Sequence, residues 1–540
     1  MRKILLSIVA MLSICGLRAQ YASEALNYSQ TDLLGSAAFV GRGGAIGALG
    51  ADFTAASYNP AGLGLFYSSQ IAITPSWEWN ISDANYMGNS TSEQRTIFAF
   101  TNANYLFAFK TNNPEGWKAF QFGVGVNKLR SFNNRSYVEG NPVNSSLLNV
   151  WTDDANYYGE YERFTSLLAK TCGLMSYDSV SNTFTDIFNG NVQKLRQSRY
   201  LVESGGISEM AVSFSGNYED KLYLGATMGV PFLSYRSSML YSEQPIAVDT
   251  AIGLKEFDFM ESKNIDGGGI NLKLGAIYRP IDNIRLGVAF HTPTYYEINE
   301  SYSTTVESTI LADASQNIYR KSEASSYGLY TYNFSTPLKL LANAAVTFGD
   351  MSSKMAGSLS FDYEYTNYRS MRFSSGDPDY MRQVNNEIKD TYKASHTFRV
   401  GGTLNVKKFS FRAGAVYSTN PYKEELDIDA SKMSLACGVG YQTRQWFEQA
   451  RPYMTLEEIA VIENVNLIKK VSYLMIALII INPVSSILFG KIIGVSDTGS
   501  GFELMSILEI LIIFSMSYIF EYGYEIQKDS KGIMYEEESK

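Results

Sequence analysis

Met210-Ala211-Val212-Ser213-Phe214-Ser215-Gly216-Asn217-Tyr218-Glu219-Asp220-Lys221-Leu222-Tyr223-Leu224-Gly225-Ala226-Thr227-Met228-Gly229-Val230 keeps a period of two on both sides of a polar turn. Met210, Val212 and Phe214 alternate with small or polar residues. After Asn217 to Asp220, so do Leu222, Leu224, Ala226, Met228 and Val230. Successive side chains of a strand point to opposite faces, so the stretch predicts a hairpin with one apolar and one small or polar face. The same unit returns at Ile270 to Tyr278 with Ile284 to Phe290, at Leu338 to Phe348 with Met355 to Tyr363, and at Phe398 to Val406 with Phe409 to Tyr417.

Working outward, this period dominates from about residue 68 to 441. It predicts about twelve strands, near 68–79, 96–109, 117–130, 207–217, 220–235, 267–279, 284–302, 328–348, 355–374, 395–406, 408–418 and 432–441. Short turns alternate with long polar connections, at about 80–95, 131–206, 236–266, 300–328, 374–394 and 419–431. Transmembrane barrels show this asymmetry, with short periplasmic turns and long outer loops, whereas a soluble sandwich gives no reason for it. No period of 20 to 50 residues repeats in the sequence, which argues against a solenoid. The expected fold class is therefore all-β, a transmembrane antiparallel β-barrel. In lipid each strand needs a partner on both sides, so twelve strands must close on themselves or find more. A one-residue slip in register exchanges the lipid and lumen faces, so individual lumen residues are left unassigned.

Composition points the same way. Of 540 residues, 38 are Tyr, 30 Phe and 43 Gly, while only 18% are charged. A soluble chain so aromatic and so sparsely charged would be hard to keep in solution, but a barrel in lipid uses an apolar outer band with aromatic girdles. The net charge of −9 forms no basic stripe, so nucleic acid is not an expected partner. Two histidines, His291 and His396, offer little to histidine-based catalysis or zinc binding. No catalytic constellation, metal site or cofactor is expected. Of three cysteines, Cys15 precedes the expected mature chain, and Cys172 and Cys437 fall in a loop and a strand, so no structural disulfide is expected.

The start reads as a secretory signal over residues 1–19: Arg2 and Lys3, the apolar run Ile4 to Ile14, then Leu17-Arg18-Ala19 before Gln20. Lipidation at Cys15 is the competing reading, and Leu12 stands against it where a small residue is wanted.

Residues 20–67, ahead of the first strand, read as a plug. Gly41, Gly43, Gly44, Gly47 and Gly50 lie among alanines and serines, followed by Asn59-Pro60-Ala61-Gly62-Leu63. Such small residues fold compactly enough for a pore, and Asn59-Pro60 predicts a rigid bend at the entry to the wall. A dinucleotide loop is excluded because, counted from Gly41, the third required glycine falls on Ile46. Arg42 is a charged plug residue able to meet a ligand carboxylate, or else a structural hydrogen-bonder. In the long connection 131–206, Leu147, Leu148 and Trp151 share a helical face, as Phe164, Leu167 and Leu168 do at looser spacing. They either pack on the barrel rim or offer an apolar landing site at the outer mouth.

A small-residue segment ending in Asn59-Pro60-Ala61-Gly62-Leu63 directly before the first strand resembles the FadL family over roughly residues 20–441. That family comprises outer-membrane channels for long-chain fatty acids and other hydrophobic compounds. The resemblance implies a fourteen-stranded barrel in the cell outer membrane, closed by an N-terminal hatch. It implies a hydrophobic ligand bound in the lumen and released sideways at a kinked third strand, where Gly123 and Gly125 are candidates for the kink. It implies outer-membrane lipid and lipopolysaccharide as surroundings, insertion by barrel-assembly machinery, and a monomer. Barrels of this type also serve as protein-interaction or shuttle components of type IX secretion, the alternative function.

After Tyr441 the alternation stops. Residues 442–453 form a junction, and 454–540 read as a helical tail with two apolar runs, Val471 to Gly490 and Leu504 to Phe520, each long enough for a helical span. Glu509 interrupts the second. The tail resembles small inner-membrane proteins and would suit the inner membrane. It is a genuine fused module, a pair of buried soluble helices, or a fusion of two coding units with Met454 as the old start. The missing pair of strands favours the fusion.

Overall fold

The computed structural model describes residues 22–111, 113, 115–190, 194–247, 253–311, 318–349, 355–375 and 378–441. The signal, the junction and the helical tail lie outside the described residues. Among the described residues no helix is long and apolar enough to cross a membrane. The crossing elements are strands.

The plug comes first. It holds α1 (Ala22–Ser29), α2 (Ala37–Gly41) and two 3-10 turns, Phe53–Ser57 and Pro60–Leu65. The wall then begins with β1 (Gln70–Tyr86), β2 (Asn89–Lys110), β3 (Trp117–Ser131) and β4 (Asn134–Val143). An outer loop follows, carrying α3 (Leu147–Tyr158), α4 (Ser166–Thr171) and the small hairpin β5 (Met175–Asp178) with β6 (Thr183–Asp186). The wall resumes with β7 (Leu195–Tyr218), β8 (Leu222–Pro245), β9 (Leu254–Ile281), β10 (Ile284–His291) and β11 (Tyr295–Leu311). Next come β12 (Ile318–Ala324), β13 (Gly328–Ser335), β14 (Lys339–Phe348), β15 (Met355–Asn367) and β16 (Arg372–Ser374). After α5 (Pro378–Thr391) the last strands are β17 (Ala394–Val406), β18 (Phe409–Ser418) and β19 (Lys432–Tyr441).

All wall strands belong to one antiparallel sheet. Several are halves of one crossing: β3 and β4 both pair with β7, β10 and β11 both pair with β9, and β14 continues β13. Counted this way, with β12 and β13 both paired to β11 and β16 continuing β15, the described wall makes twelve crossings. Two neighbouring crossings break side by side, at Thr292–Thr294 and Thr336–Leu338, around Pro293 and Pro337. Proline has no N–H to give a ladder, and here Thr294 N donates to Thr336 Oγ1 (2.9 Å) beside one remaining backbone bond, Thr336 N to Thr294 O (3.0 Å).

The polarity of the wall is reversed relative to a soluble sheet. Leu274, Val288 and Val400 are 45%, 59% and 52% exposed, whereas Glu209 and Thr227 are 0% exposed. Along the four hairpins named above the outward positions are mostly apolar and the inward ones mostly small or polar, an arrangement stable only where lipid replaces water outside. The outward set contains the hairpin residues named above, among them Leu224, Met228, Leu272, Leu286, Phe361 and Phe411.

The strands are longer than the pattern predicts. The expected connection at 80–95 is a hairpin instead: β1 and β2 pair from Gln70↔Leu106 to Tyr86↔Asn89 across a two-residue turn. Met87 (φ 51°) and Gly88 (φ 85°) both take the left-handed conformation that such tight turns need. Much of 131–206, 236–266 and 300–328 is likewise strand, because β7, β8, β9 and β11 continue past the apolar band. Above the apolar band the outward face turns polar while the inward face packs on the loop helices, so the ladder persists after the outward hydrophobic alternation has ended. The connection 374–394 holds α5.

Candidate functional site

The plug is a chain of caps. Ser36 caps α2 by accepting from Phe39 N (3.0 Å), Asp52 caps the first 3-10 turn by accepting from Thr54 N (2.9 Å), and Asn59 caps the second by accepting from Ala61 N (3.2 Å). Ser36 Oγ in turn donates to Asp52 (2.5 Å). Gly43 and Gly44 make the turn after α2 with φ of 61° and 77°, where a side chain would strain the backbone. Arg42 is buried and spent inside the plug: its Nε donates to Ala38 O (2.9 Å) and its Nη2 pairs with Asp52 Oδ2 (3.3 Å).

Glycines and small residues of the wall receive this plug. Asn59 and Pro60 fill the space left by Gly275, and Pro60 and Ala61 the space left by Gly225; these two glycines are cross-strand partners. Asn59 is fully buried, with Nδ2 donating to Gly47 O (2.8 Å) and to Asn343 (3.3 Å). Gly47 lies against Asn343, Gly41 against Gly438, and the Arg42 backbone against Gly401 and Gly414. Thus the Asn59-Pro60-Ala61-Gly62-Leu63 motif and the plug glycines meet strands from β8 round to β19.

Charged side chains then pin the plug. Asp362 on β15 accepts from two successive backbone amides, Ile46 N (2.9 Å) and Gly47 N (2.7 Å). Ser57 donates to Glu209 (2.7 Å), which also pairs with Lys273 and accepts from Asn271 (3.1 Å). His291 Nε2 meets Tyr58 O (2.6 Å), Arg285 donates to Leu49 O (2.9 Å) and Gln121 donates to Phe66 O (2.9 Å). Tyr58 lies under Arg399, and burial pushes its hydroxyl up to about 12 with Arg399 opposing the shift. Arg399 also pairs with Glu364 (2.7 Å), which holds Lys339 (3.2 Å). Glu209, Lys273, Asp362 and Arg399 were not singled out from sequence. The signal that marks them is a charge in the lumen register of a strand with an apolar outer face.

The irregularity of the third crossing lies elsewhere than at Gly123 and Gly125. Both glycines sit in regular ladder, opposite Leu106 and Asn104 on one side and Ser213 and Ala211 on the other. A Cβ at either would press on the ring of Phe53, so their role in the structure is to admit this plug side chain. Register shifts fall between Trp117 and Ala119 and between Lys128 and Arg130, and β3 gives way to β4 after Ser131. Pairing of β2 with β3 runs from Lys110↔Ala119 only to Asn102↔Asn127. Above that point no ladder pair joins β2 to the third crossing among the described residues. The upper β1–β2 hairpin meets β3, β4 and the link between them through side chains, with Lys128 on Glu78 (2.8 Å) and Ser82 on Asn134 (2.7 Å).

Two apolar roofs stand above the lumen. In one, α1 packs beneath α5: Ala25, Leu26 and Tyr28 join Phe334, Phe373, Val384 and Ile388, and Tyr392 OH donates to Ala22 O (3.0 Å). In the other, Leu148 and Trp151 of α3 and Leu168 of α4 are buried against the extended strands, Trp151 meeting Phe257 and Phe259 at 5.5 and 5.1 Å. Leu147 packs at the edge of that cluster, Phe164 is buried against Tyr302, and Leu167 is exposed. His396 meets the Tyr363 hydroxyl (2.8 Å), and Cys172 and Cys437 are free thiols, the first buried and the second facing outward.

No protein-family model and no curated protein sequence matches the chain. Among solved structures, it is similar to the CymD monoaromatic hydrocarbon channel (13% identity, 77% of this chain and 91% of that chain covered, TM-score 0.40). It is also similar to the Pseudomonas putida toluene transporter TodX (14%, 77% and 91%, TM-score 0.41) and to a Pseudomonas aeruginosa FadL homologue (12%, 76% and 97%, TM-score 0.29).

Proposed function

We propose that this chain is an outer-membrane channel for passive uptake of hydrophobic small molecules, with long-chain fatty acids as the first class to test. The observation that carries the reading is a lipid-facing wall around a tightly fitted plug, split where β2 leaves β3. A plug held by buried carboxylates, an arginine and glycine contacts leaves no straight path down the axis. Three lumen cavities beside it are small, at ≈ 60, 150 and 180 Å³, and each has charged side chains in its lining, among them Lys273, Lys263 and Arg399. An apolar molecule gains little there, whereas a break in the wall faces lipid, where such a molecule is stable. Passage sideways through the wall therefore suits the chemistry better than passage through the plug. On this reading residues 1–19 direct export and the barrel-assembly machinery inserts a monomer.

The test is uptake by proteoliposomes. Purified chain should carry labelled oleate or toluene to the inner leaflet saturably, and a strain lacking the gene should lose growth on the substrate that is carried. Absence of saturable uptake of either compound by protein that still migrates as a folded barrel in cold detergent would sink the proposal.

A further inference from the structure

Among the described residues, the first and last strands of the wall, β1 and β19, each keep one edge without a ladder partner. β1 pairs with β2 from Gln70 to Tyr86, and no pair joins it to β19, which lies beside β18. The outward side chains show the same gap. Trp77 on β1 and Leu435 on β19 are 74% and 75% exposed, against 42% and 45% for Leu272 and Leu274 on β9, which has a strand on each side. In hydrocarbon a row of unpaired N–H and C=O groups is costly, so this seam calls for further strands.

The plug sets the width of the seam, because it touches the wall on both sides of it. Gly35 O accepts from Thr101 Oγ1 on β2 (2.7 Å), beside the bulge at Thr74 and Pro75 of β1. Further along the plug, Gly41 lies against β19, where an added Cβ would stand 3.5 Å from the Gly438 Cα. Ser36 is extended and Ala37–Gly41 is helical, so the chain from Gly35 to Gly41 spans at most about 13 Å. With a contact at each end, β2 and β19 stand within about 20 Å, or about four strand spacings of ~4.8 Å. About one spacing separates β2 from β1, which leaves about three between β1 and β19 and room for two strands at most. Twelve crossings set β1 and β19 antiparallel, so the ladder closes only with an even number of strands between them. Two strands satisfy both conditions.

We propose that a β-hairpin of a separate polypeptide fills this seam, one strand on β1 and the other on β19, with a single copy of this chain forming the rest of the wall. Main-chain bonds to the two edges supply the affinity, as in other strand additions, and the side chains supply the choice of partner. The hairpin needs about ten residues per strand, apolar at alternate outward positions and small or polar where they face the plug. A second copy of this chain does not fit, since it would bring twelve crossings to a gap that the plug holds to two. The segment after Tyr441 does not fit by sequence, because its apolar runs, Val471 to Gly490 and Leu504 to Phe520, lack the alternation of a strand with a lumen face. The inference rests on the wall and its contacts with the plug, and is independent of what the channel carries.

Photocrosslinking of the full chain in the outer membrane of the cells that produce it is the test. p-Benzoylphenylalanine is placed at Trp77 on β1, at Leu435 on β19 or, as a control inside the ladder, at Phe361 on β15. Trp77 and Leu435 should crosslink to one and the same polypeptide, with an intermolecular yield about tenfold above that at Phe361, since the next strand of a ladder stands ~4.8 Å away. Mapped by mass spectrometry, the two crosslinks should fall on adjacent alternating segments joined by a turn. Deleting that hairpin from the partner should abolish both crosslinks and lower the temperature at which this chain loses its compact gel band. Crosslinks from Trp77 directly to β19, from either edge to residues 442–540, to two different polypeptides, or to a second copy of this chain overturn the proposal. So does the absence of intermolecular product at both edges in protein that is still heat-modifiable on gels. The expected crosslinks without any uptake of oleate or toluene would leave the hairpin standing and remove the channel reading.

Discussion

Gly275 has no side chain, and the plug uses the space. Asn59 and Pro60 occupy the place where a Cβ would stand, and Gly225 across the strand gives the same room to Pro60 and Ala61. Both sides of this contact are backbone or a fully buried side chain, so neither can yield cheaply. Gly275→Ala is therefore expected to destabilise the folded state by about 1–3 kcal/mol, the usual cost of overpacking a tight interior. The check is the temperature at which the compact gel band converts to the unfolded one, which should fall, while Gly268→Ala, where a Cβ meets open space, should leave it unchanged. Arg42 makes the complementary point. From sequence it is a charge among glycines, able to meet a ligand or its own chain, and in the structure Asp52 and Ala38 O already take it.

At the scale of elements, the outer loop shows how helices are specified where lipid no longer acts. Ser146 and Asn149 form a capping box at the start of α3, and Gly159 ends it at φ 76°. Between these signals Leu148, Trp151 and Ala155 form the buried face, so the helix was legible from capping and period together. Its neighbour α4 ends at Cys172, whose thiol donates to Val306 O (3.2 Å). Burial pushes this thiol up to about 11, above the ordinary range for cysteine. A raised thiol pKa means the neutral form persists through pH 8, and only the thiolate attacks a maleimide. Cys172 should thus resist labelling at pH 7.5 in the folded chain and react in 8 M urea, as read by mass spectrometry of the loop peptide. Rapid labelling without denaturant would show that α4 does not stay seated on β11.

For the molecule as a whole, the reversal of polarity is the main stabilising device. The outward face loses little by meeting lipid tails, whereas a charge placed there must be held in hydrocarbon. Val288→Arg is expected to cost about 2–4 kcal/mol if it sits at the bilayer midplane and less toward an interface. Urea unfolding of the reconstituted protein measures it, and a cost near zero would mean that this face does not contact lipid. The plug contributes from inside, since its contacts join strands that are far apart in the ladder. Ser57 with Glu209 links positions 152 residues apart, and Ile46 with Asp362 links positions 316 apart.

These separations mark the boundary between what the sequence determined and what only the tertiary structure decided. Lipid requires opposite polarity on the two faces of a crossing strand, so eight crossings were readable from Met210–Val230 and its repeats and the other four from the same period of two elsewhere in residues 68–441. Small residues and Asn59-Pro60 likewise announced a plug, because local conformational freedom and proline geometry are properties of the chain itself. Strand ends were lost where β7, β8, β9 and β11 leave the membrane, since the apolar residues there change to the inner face beneath the loop helices and the outward alternation stops. The bulge at Lys128 to Arg130 and the pins on the plug depend on which distant strands the fold brings together. No local pattern encodes that, because each partner alone is an ordinary polar residue in a lumen register.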